Sequence, residues 1–378
     1  MDFKLTEEQQ DLKKMVHDYA VEVLAPRAVE LDKDNRFPVE TIKELAQYDL
    51  MGIAYPEEFG GAGANAVCEA IAVEEISYGC AATGSILTGH YLGFDALYLK
   101  GSDKQKQKYL VSALKGEKLA GFCLTEPDSG SDAGASRTTA VRNGDFYILN
   151  GTKHFITSAA YADFLVVFAM TDKAKKTRGM TSFVVEKDTP GMMIGVGDDK
   201  MGIRGARTYE VIFEDCRVPV ENRIGEENEG FKVAMQVIDR GRIGIAAMGV
   251  GLAQAALDTA VKYAKERTVF GNTLSNYQGI QWMLAEMATD VEAARWLTYY
   301  AADLKESGQR FSKEAAMAKL FAAEAAHRVV DKALQIHGGY GYMKDYPIER
   351  MYRDQRILEI FEGTSQIQKI VISNHLLK

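Results

Sequence analysis

The chain has 378 residues, 47% hydrophobic and 26% charged, the balance of an ordinary globular protein rather than of a disordered one. Its length exceeds the roughly 250–300 residues at which one core stops growing, so two or three packed units are expected. The formal charge of −8, with acids and bases intermixed, supplies no basic stripe and argues against nucleic acid as a partner.

The first residues, Met1-Asp2-Phe3-Lys4-Leu5, carry an acid early and lack an apolar signal core or an Arg/Ser-rich transit helix. Thr6 followed by Gln9 reads as a capping box, after which Leu12, Met15, Val16, Tyr19, Val23 and Leu24 recur at helical spacing until Pro26. Helical patterns continue through residues 39–48, 66–77, 81–99 and 103–114, which predicts an all-helical N-terminal domain over residues 1–115. Asn143-Gly144 and Asn150-Gly151 then read as two hairpin turns bracketing a short strand. Residues 164–170, 181–186 and 209–213 extend it into a central antiparallel β-domain over residues 116–220. Between Pro219 and Pro347 no proline occurs, and the stretch is rich in Ala, Glu, Lys, Leu and Met at helical period. Gly249-Val250-Gly251 and the small residues at 253–256 permit close helix approach, which predicts a C-terminal four-helix bundle over residues 221–378. The expected fold class is α+β, in the order helices, sheet, helices.

The longest apolar stretch, residues 243–257, is shorter than the ~18 residues of a spanning helix, so no membrane insertion is expected. Cys68, Cys80, Cys123 and Cys216 are scattered and contain no Cys-x-x-Cys pair, so neither a metal site nor a disulfide framework is expected. A reducing compartment fits, and the cytoplasm is the expected location.

Three segments carry chemistry. Leu124-Thr125-Glu126-Pro127-Asp128-Ser129-Gly130-Ser131-Asp132 is a polar loop entering the β-domain, and alone it reads equally well as a turn between strands. Gln335-Ile336-His337-Gly338-Gly339-Tyr340-Gly341 lies downstream, and Ile360-Phe361-Glu362-Gly363-Thr364-Ser365-Gln366-Ile367-Gln368 stands near the C-terminus. In this order and at these separations they resemble the acyl-CoA dehydrogenase family. Gly241-Arg242-Ile243-Gly244-Ile245-Ala246-Ala247 is most similar to the bacterial short-chain, butyryl-CoA, branch. The resemblance covers essentially the whole chain.

It implies FAD bound without a Rossmann fold, between the β-domain and the C-terminal bundle, with the acyl thioester beside it. Phe122, Cys123, Leu124, Thr125, Glu126, Pro127, Asp128, Ser129, Gly130 and Ser131 would run along the flavin. Thr125 would sit near the pyrimidine edge and Ser131 also near the CoA, short donors that suit a ring becoming anionic on reduction. Phe155, Ile156 and Thr157 would cover the flavin face, Phe155 standing where many relatives have Trp. Arg267, with Gln278 as a partner, would meet the pyrophosphate, for which a guanidinium offers bidentate pairing, and Phe270 would also touch the cofactor. Gln335, Ile336, His337, Gly338 and Gly339 would reach the FAD of a neighbouring subunit in a homotetramer, and Thr364, Ser365 and Gln366 would also touch cofactor. Asp239, Arg240, Gly241, Arg242 and Gly363 would contact substrate, although Arg240 departs from the small residue usual in close relatives.

By the same resemblance Glu362 removes the α-proton of a short-chain acyl-CoA, the flavin accepts the β-hydride, and electrons pass to electron-transferring flavoprotein. The α-hydrogen of a thioester is a weak acid, so its removal needs a placed base and a polarised carbonyl in a water-poor site. Some branches carry the base at the position of Gly241, which glycine cannot serve. Two rival readings stay open: an enoyl-CoA reductase of acrylyl or aryl-acrylyl type running the reverse reaction, and a non-catalytic acyl-CoA-binding protein, which would have no need of Glu362.

Overall fold

A computed structural model describes residues 4–377. Helix α1 (Glu7–Tyr19) starts where Thr6 and Gln9 exchange backbone-to-side-chain hydrogen bonds of 3.2 and 3.0 Å, the expected capping box. Pro26 does not end this segment. A five-residue π-helical turn, Ala20–Leu24, widens the spiral so that Ala25 donates to Ala20, and Pro26 falls in the first turn of α2 (Ala25–Asp34), where a missing N–H costs little. The domain continues with α3 (Val39–Gln47), α4 (Ala66–Gly79), α5 (Ala81–Lys100), α6 (Asp103–Gln105) and α7 (Val111–Leu114). Helices α4 and α5 are buried on nearly every side, so their sequences show small and apolar residues all round instead of one stripe.

Eight strands form one sheet: β1 (Ala120–Cys123), β2 (Thr139–Asn143), β3 (Phe146–Thr157), β4 (Phe164–Met170), β5 (Met180–Glu186), β6 (Met192–Ile194), β7 (Thr208–Pro219) and β8 (Arg223–Ile224). Their order is β6-β7-β3-β2-β4-β5-β8, with β1 beside β4. Most pairs are antiparallel, but β1 runs parallel to β4, and β2 meets β4 parallel at Thr139 and Met170. Asn143-Gly144 makes the expected β2–β3 turn, with Gly144 at φ +60°. Asn150-Gly151 makes no turn. It lies inside the continuous twelve-residue β3 and marks a register shift against β7, with Gly151 at φ +146° and a Cβ there only 2.5 Å from Thr138 Oγ1. The dipeptide is a bulge, which uses the same glycine freedom as a turn.

Strand β4 is buried along its whole length because both sheet faces are covered. Phe164, Val166, Phe168 and Met170 join the large core shared with the helices, whereas Leu165, Val167 and Ala169 enter a second core with Tyr147, Leu149, Phe183 and Phe213.

The C-terminal part holds α8 (Gly230–Glu266), a small hairpin of β9 (Thr268–Val269) and β10 (Asn272–Thr273), α9 (Gln278–Glu306), α10 (Ser312–His337), α11 (Ile348–Gln355) and α12 (Ser365–Leu376). Helix α8 is the spine, packing on α9 and α10 within the bundle and on α4 and α5 of the N-terminal helices. Its glycines set the spacing: a Cβ on Gly251 would lie 1.9 Å from the Glu74 carbonyl oxygen, and one on Gly249 3.0 Å from that of Ala322. At 37 residues α8 is longer than the apolar stretch read from the sequence, and it is long and apolar enough to cross a membrane. Here it is mostly buried, which is how the core helix of a folded domain satisfies the same apolar surface.

Candidate active site

Glu362 sits in a tight turn between a 3₁₀ turn, Arg356–Glu359, and α12, whose N-cap is Thr364, its hydroxyl oxygen accepting from Ile367 N at 3.3 Å. Glu362 has φ +52° and Gly363 φ +86°, two consecutive left-handed residues. Glycine enters that region freely, but a glutamate does so only when its surroundings hold it there. Two buried side chains do so. Lys319, on α10, donates to the Gly363 carbonyl at 2.7 Å, and Gln368, on α12, donates to the carbonyls of Glu362 at 3.0 Å and Gly363 at 2.8 Å.

Among the described residues no hydrogen bond or ion pair reaches the Glu362 carboxylate itself. Desolvation raises its carboxyl to about 7, against the opposing pull of the Lys319 and Arg242 cations. The same place borders α8, where a Cβ on Gly241 would lie 3.6 Å from Glu362 Oε2 and 2.6 Å from Leu92 Cδ2. A longer side chain at 241 would therefore compete with Glu362 for one space. Arg242 is buried, donates to Asp239 at 2.5 Å, and keeps its Nε without a partner among the described residues.

Arg240 has a different task from its neighbours. It points toward the N-terminal helices, donates to Asp95 at 2.9 Å and to the Tyr55 hydroxyl at 3.3 Å, and lies over the rings of Tyr55 and Tyr98. This buried ion pair ties α8 to α5.

The loop after β1 is organised by Glu126. Glu126 and Ser129 exchange two backbone hydrogen bonds of 3.1 Å, which folds Pro127 and Asp128 into a tight turn. The Glu126 carboxylate, pushed up by burial, is nonetheless held down to about 2 by Lys153 at 2.8 Å and by hydrogen bonds from the Ser136 hydroxyl and the Arg137 N–H. Lys153 also donates to Leu124 O at 2.9 Å, and His154 N donates to Thr125 O at 2.9 Å. The glutamate thus spends its carboxylate inside the loop, leaving Gly130 and Ser131 exposed at the rim and Thr125 half-buried.

Across from this loop β3 carries a second register shift against β7, between Lys153 and Ile156. The irregularity puts Phe155 at φ +59° and turns its ring outward, stacked on His154 at 4.2 Å between centroids and 61% exposed. Cys123 and Ile156 face the other way, into the second core, so they present only backbone to the loop side. Helix α5 links this wall to Glu362: Gly89 lies against Thr157, and three residues on Leu92 lies against Gly241.

A second group assembles elsewhere. Tyr263, Arg267, Ile336, His337, Gly338, Gly339 and Tyr340 line a cavity of about 480 Å³. Arg267 lies 5.4 Å above the Tyr340 ring, and His337 stacks on Tyr263 at 4.2 Å with its Nε2 unpartnered among the described residues. Nothing stands within 4 Å of a Cβ on Gly338 or Gly339, so a ligand can approach this backbone closely. A guanidinium, a free ring nitrogen and an open glycine backbone suit a phosphate-bearing cofactor such as FAD. Phe270, at the β9–β10 turn, is almost fully exposed, and Gln278 opens α9 nearby. Thr364 caps α12, Ser365 is buried with its hydroxyl unpartnered, and Gln366 is exposed.

Sequence reasoning missed Lys153, Lys319 and Gln368. For Lys319 a signal existed: it stands on the stripe of Ala315, Ala316, Ala322 and Ala323, three and four residues away on either side, where a core helix has no ordinary use for a charge.

Comparison with known proteins agrees over the full length. Profiles of the acyl-CoA dehydrogenase N-terminal, middle and C-terminal domains match residues 6–117, 121–216 and 228–377. The chain is 50% identical to an acryloyl-CoA reductase (NADH) of Anaerotignum propionicum, covering 100% of this chain and 96% of that one. It is 49% identical to a short-chain specific acyl-CoA dehydrogenase of Clostridium acetobutylicum, covering 100% of both. Among solved structures, butyryl-CoA dehydrogenase from Megasphaera elsdenii superimposes with a TM-score of 0.98 at 43% identity, and a chain from work on the electron transferring flavoprotein of Acidaminococcus fermentans with 0.99 at 48%, each covering 100% of both chains. The chain belongs to the acyl-CoA dehydrogenase family and is a FAD-dependent oxidoreductase.

Proposed function

We propose that the protein interconverts a short-chain acyl-CoA and its trans-2-enoyl-CoA, with Glu362 as the base that takes the α-proton. The observation that carries this reading is the Glu362 carboxylate itself: desolvated, raised to about 7, and without a hydrogen-bond donor among the described residues. A general base works best with a pKa near the working pH, and an unpaired carboxylate is free to accept a substrate proton. The Glu362 backbone N–H would then be a donor to the thioester oxygen as enolate-like charge develops. When bound, FAD supplies the two-electron acceptor for the β-hydride. Thr125, Ser131 and Phe155 would line its ring, with Glu126 and Lys153 holding the loop that carries the first two.

The short acyl preference is supported by how closely α5 and α8 meet behind Glu362. Leu92 lies against Gly241, and a Cβ on Gly244 would be 3.0 Å from Thr88 Cγ2, leaving little depth for a long chain. Arg267 stands 26 residues along α8 from Gly241, about 39 Å at 1.5 Å per residue. One subunit therefore keeps its phosphate-binding cavity far from its own base. A homotetramer in which Arg267 and residues 335–339 serve a neighbour's FAD accounts for this, and the exposed Phe270, Trp282 and Tyr342 offer apolar surface for such contacts. Electron-transferring flavoprotein is the proposed redox partner. The four cysteines are free thiols, as the cytoplasm would keep them.

A second reading is favoured by the 50% identity to an acryloyl-CoA reductase: the same site run in reverse, with Glu362 returning the α-proton. Anaerobic addition of butyryl-CoA to the purified holoenzyme tests the proposal. Bleaching of the flavin band, abolished in Glu362→Gln, is expected. Full turnover by Glu362→Gln would end the assignment of the base, and bleaching by no saturated acyl-CoA would favour the reductive direction.

A further inference from the structure

Lys319 is fully buried on the alanine face of α10, and burying a charged amine is costly unless something compensates. Its one hydrogen bond among the described residues goes to the Gly363 carbonyl at 2.7 Å, and not to a carboxylate. The charged groups facing it are Glu362 and Glu359 on the opposite sign and Arg242 on the same sign, and those facing Glu362 are Lys319 and Arg242. The lysine thus approaches the Glu362 turn from its carbonyl side. Gln368 completes the grip from α12 by donating to both carbonyls. Between them they satisfy the polar groups that a left-handed Glu362-Gly363 pair exposes to the protein interior.

Resting on the assignment of Glu362 as base, we infer that Lys319 is a positioning residue for it: the ammonium pins the turn through the Gly363 carbonyl while leaving the Glu362 carboxylate unbonded, and its charge sets how readily that carboxylate ionises. A lysine that paired directly with the carboxylate would hold it ionised but occupied, as Lys153 does with Glu126. Pairing with the carbonyl instead separates the two effects. The backbone is held by contact, and the carboxylate feels only the field. Burial also disfavours the Lys319 ammonium, bringing it down to about 8.

The test uses purified holoenzyme of Lys319→Met, which fills the same space without charge, and of Lys319→Arg, which keeps the charge. Flavin content and melting temperature establish that each is folded. For Lys319→Met the expected result is a kcat for butyryl-CoA lower by about 100-fold, the scale of a misplaced catalytic group, with KM changed little. The acid limb of the rate profile should also move to higher pH, because a cation facing the base has gone. Lys319→Arg should recover part of kcat and return the limb toward its original position. A readout independent of turnover is the proton exchanged on binding the enoyl product, measured by calorimetry in buffers of different ionisation enthalpy, and its pH midpoint should move with the rate limb. Wild-type kcat and pH profile in folded Lys319→Met overturn the inference. If Lys319→Met does not fold, Gln368→Met breaks the neutral half of the same grip: lower kcat with an unmoved pH limb supports the inference, and unchanged kcat overturns it. Glu362→Gln separates the two readings. Full turnover there removes the base and the inference together, whereas loss of turnover beside an unchanged Lys319→Met removes only the inference.

Discussion

Glu126 and Glu362 make an instructive pair. Both stand in the motifs that suggest the family, both are desolvated, and each has a fully buried lysine for company. Lys153 meets the Glu126 carboxylate at 2.8 Å, with the Ser136 hydroxyl and the N–H groups of Arg137 and Thr138 as further donors, and the carboxyl is held down to about 2. Lys319 meets a carbonyl one residue past Glu362, and with no donor among the described residues on its carboxylate Glu362 rises to about 7. Desolvation alone does not decide what a buried glutamate does. The number of donors aimed at its oxygens does, turning one into a structural anchor and leaving the other able to take a proton.

This contrast can be broken from the structural side first. Lys153→Met leaves Glu126 charged and buried without its cation, and the expected loss is about 3–5 kcal/mol of stability, read by urea unfolding, together with weaker flavin retention. A loss under about 1 kcal/mol would mean that the loop's backbone donors suffice alone. The pH dependence sharpens the other side. Because the folded Glu362 carboxyl lies above its unfolded value, near 4.5, its contribution to stability is fully present below about pH 4.5 and is lost as pH rises through about 7. Glu362→Gln, expected to be inactive, should therefore melt higher than wild type at pH 8 and near the wild-type temperature at pH 4.5. Equal melting temperatures at both would show the carboxylate to be better solvated than its setting implies. In wild type the rate of flavin reduction should climb with pH through about 7, as the base loses its proton, and then level off. Smallest is Gly241→Ala, whose methyl meets the flexible end of Leu92 at 2.6 Å. A cost of about 1–3 kcal/mol is expected by overpacking, with a raised KM for butyryl-CoA, since Leu92 is pressed into the space behind Glu362.

Much of the architecture was legible because it rests on local chemistry. The capping box at Thr6 and Gln9, the Asn143-Gly144 turn and the small-residue packing of α8 are each set by residues close in sequence. The errors came where one local signal serves two geometries. Asn150-Gly151 supplies the same left-handed freedom to a bulge as to a turn, and Pro26 fits a helix's first turn once a π-helical turn precedes it. Arg240 and Arg242 show what spacing leaves open: helical rotation of two residues sends their side chains to different faces, one toward Asp95 and one toward Asp239 and the Glu362 turn.

By itself the sequence determined the order of helices and sheet, the family, and the candidacy of Glu362, because periodicity, caps and motif spacing are properties of neighbouring residues. Only the tertiary structure decided which buried glutamate is neutralised by donors and which is left unpaired. Lys153 lies 27 residues from Glu126, and Lys319 lies 43 from Glu362. Which atom each lysine reaches is fixed by how helices and strands pack, and no spacing along the chain encodes it.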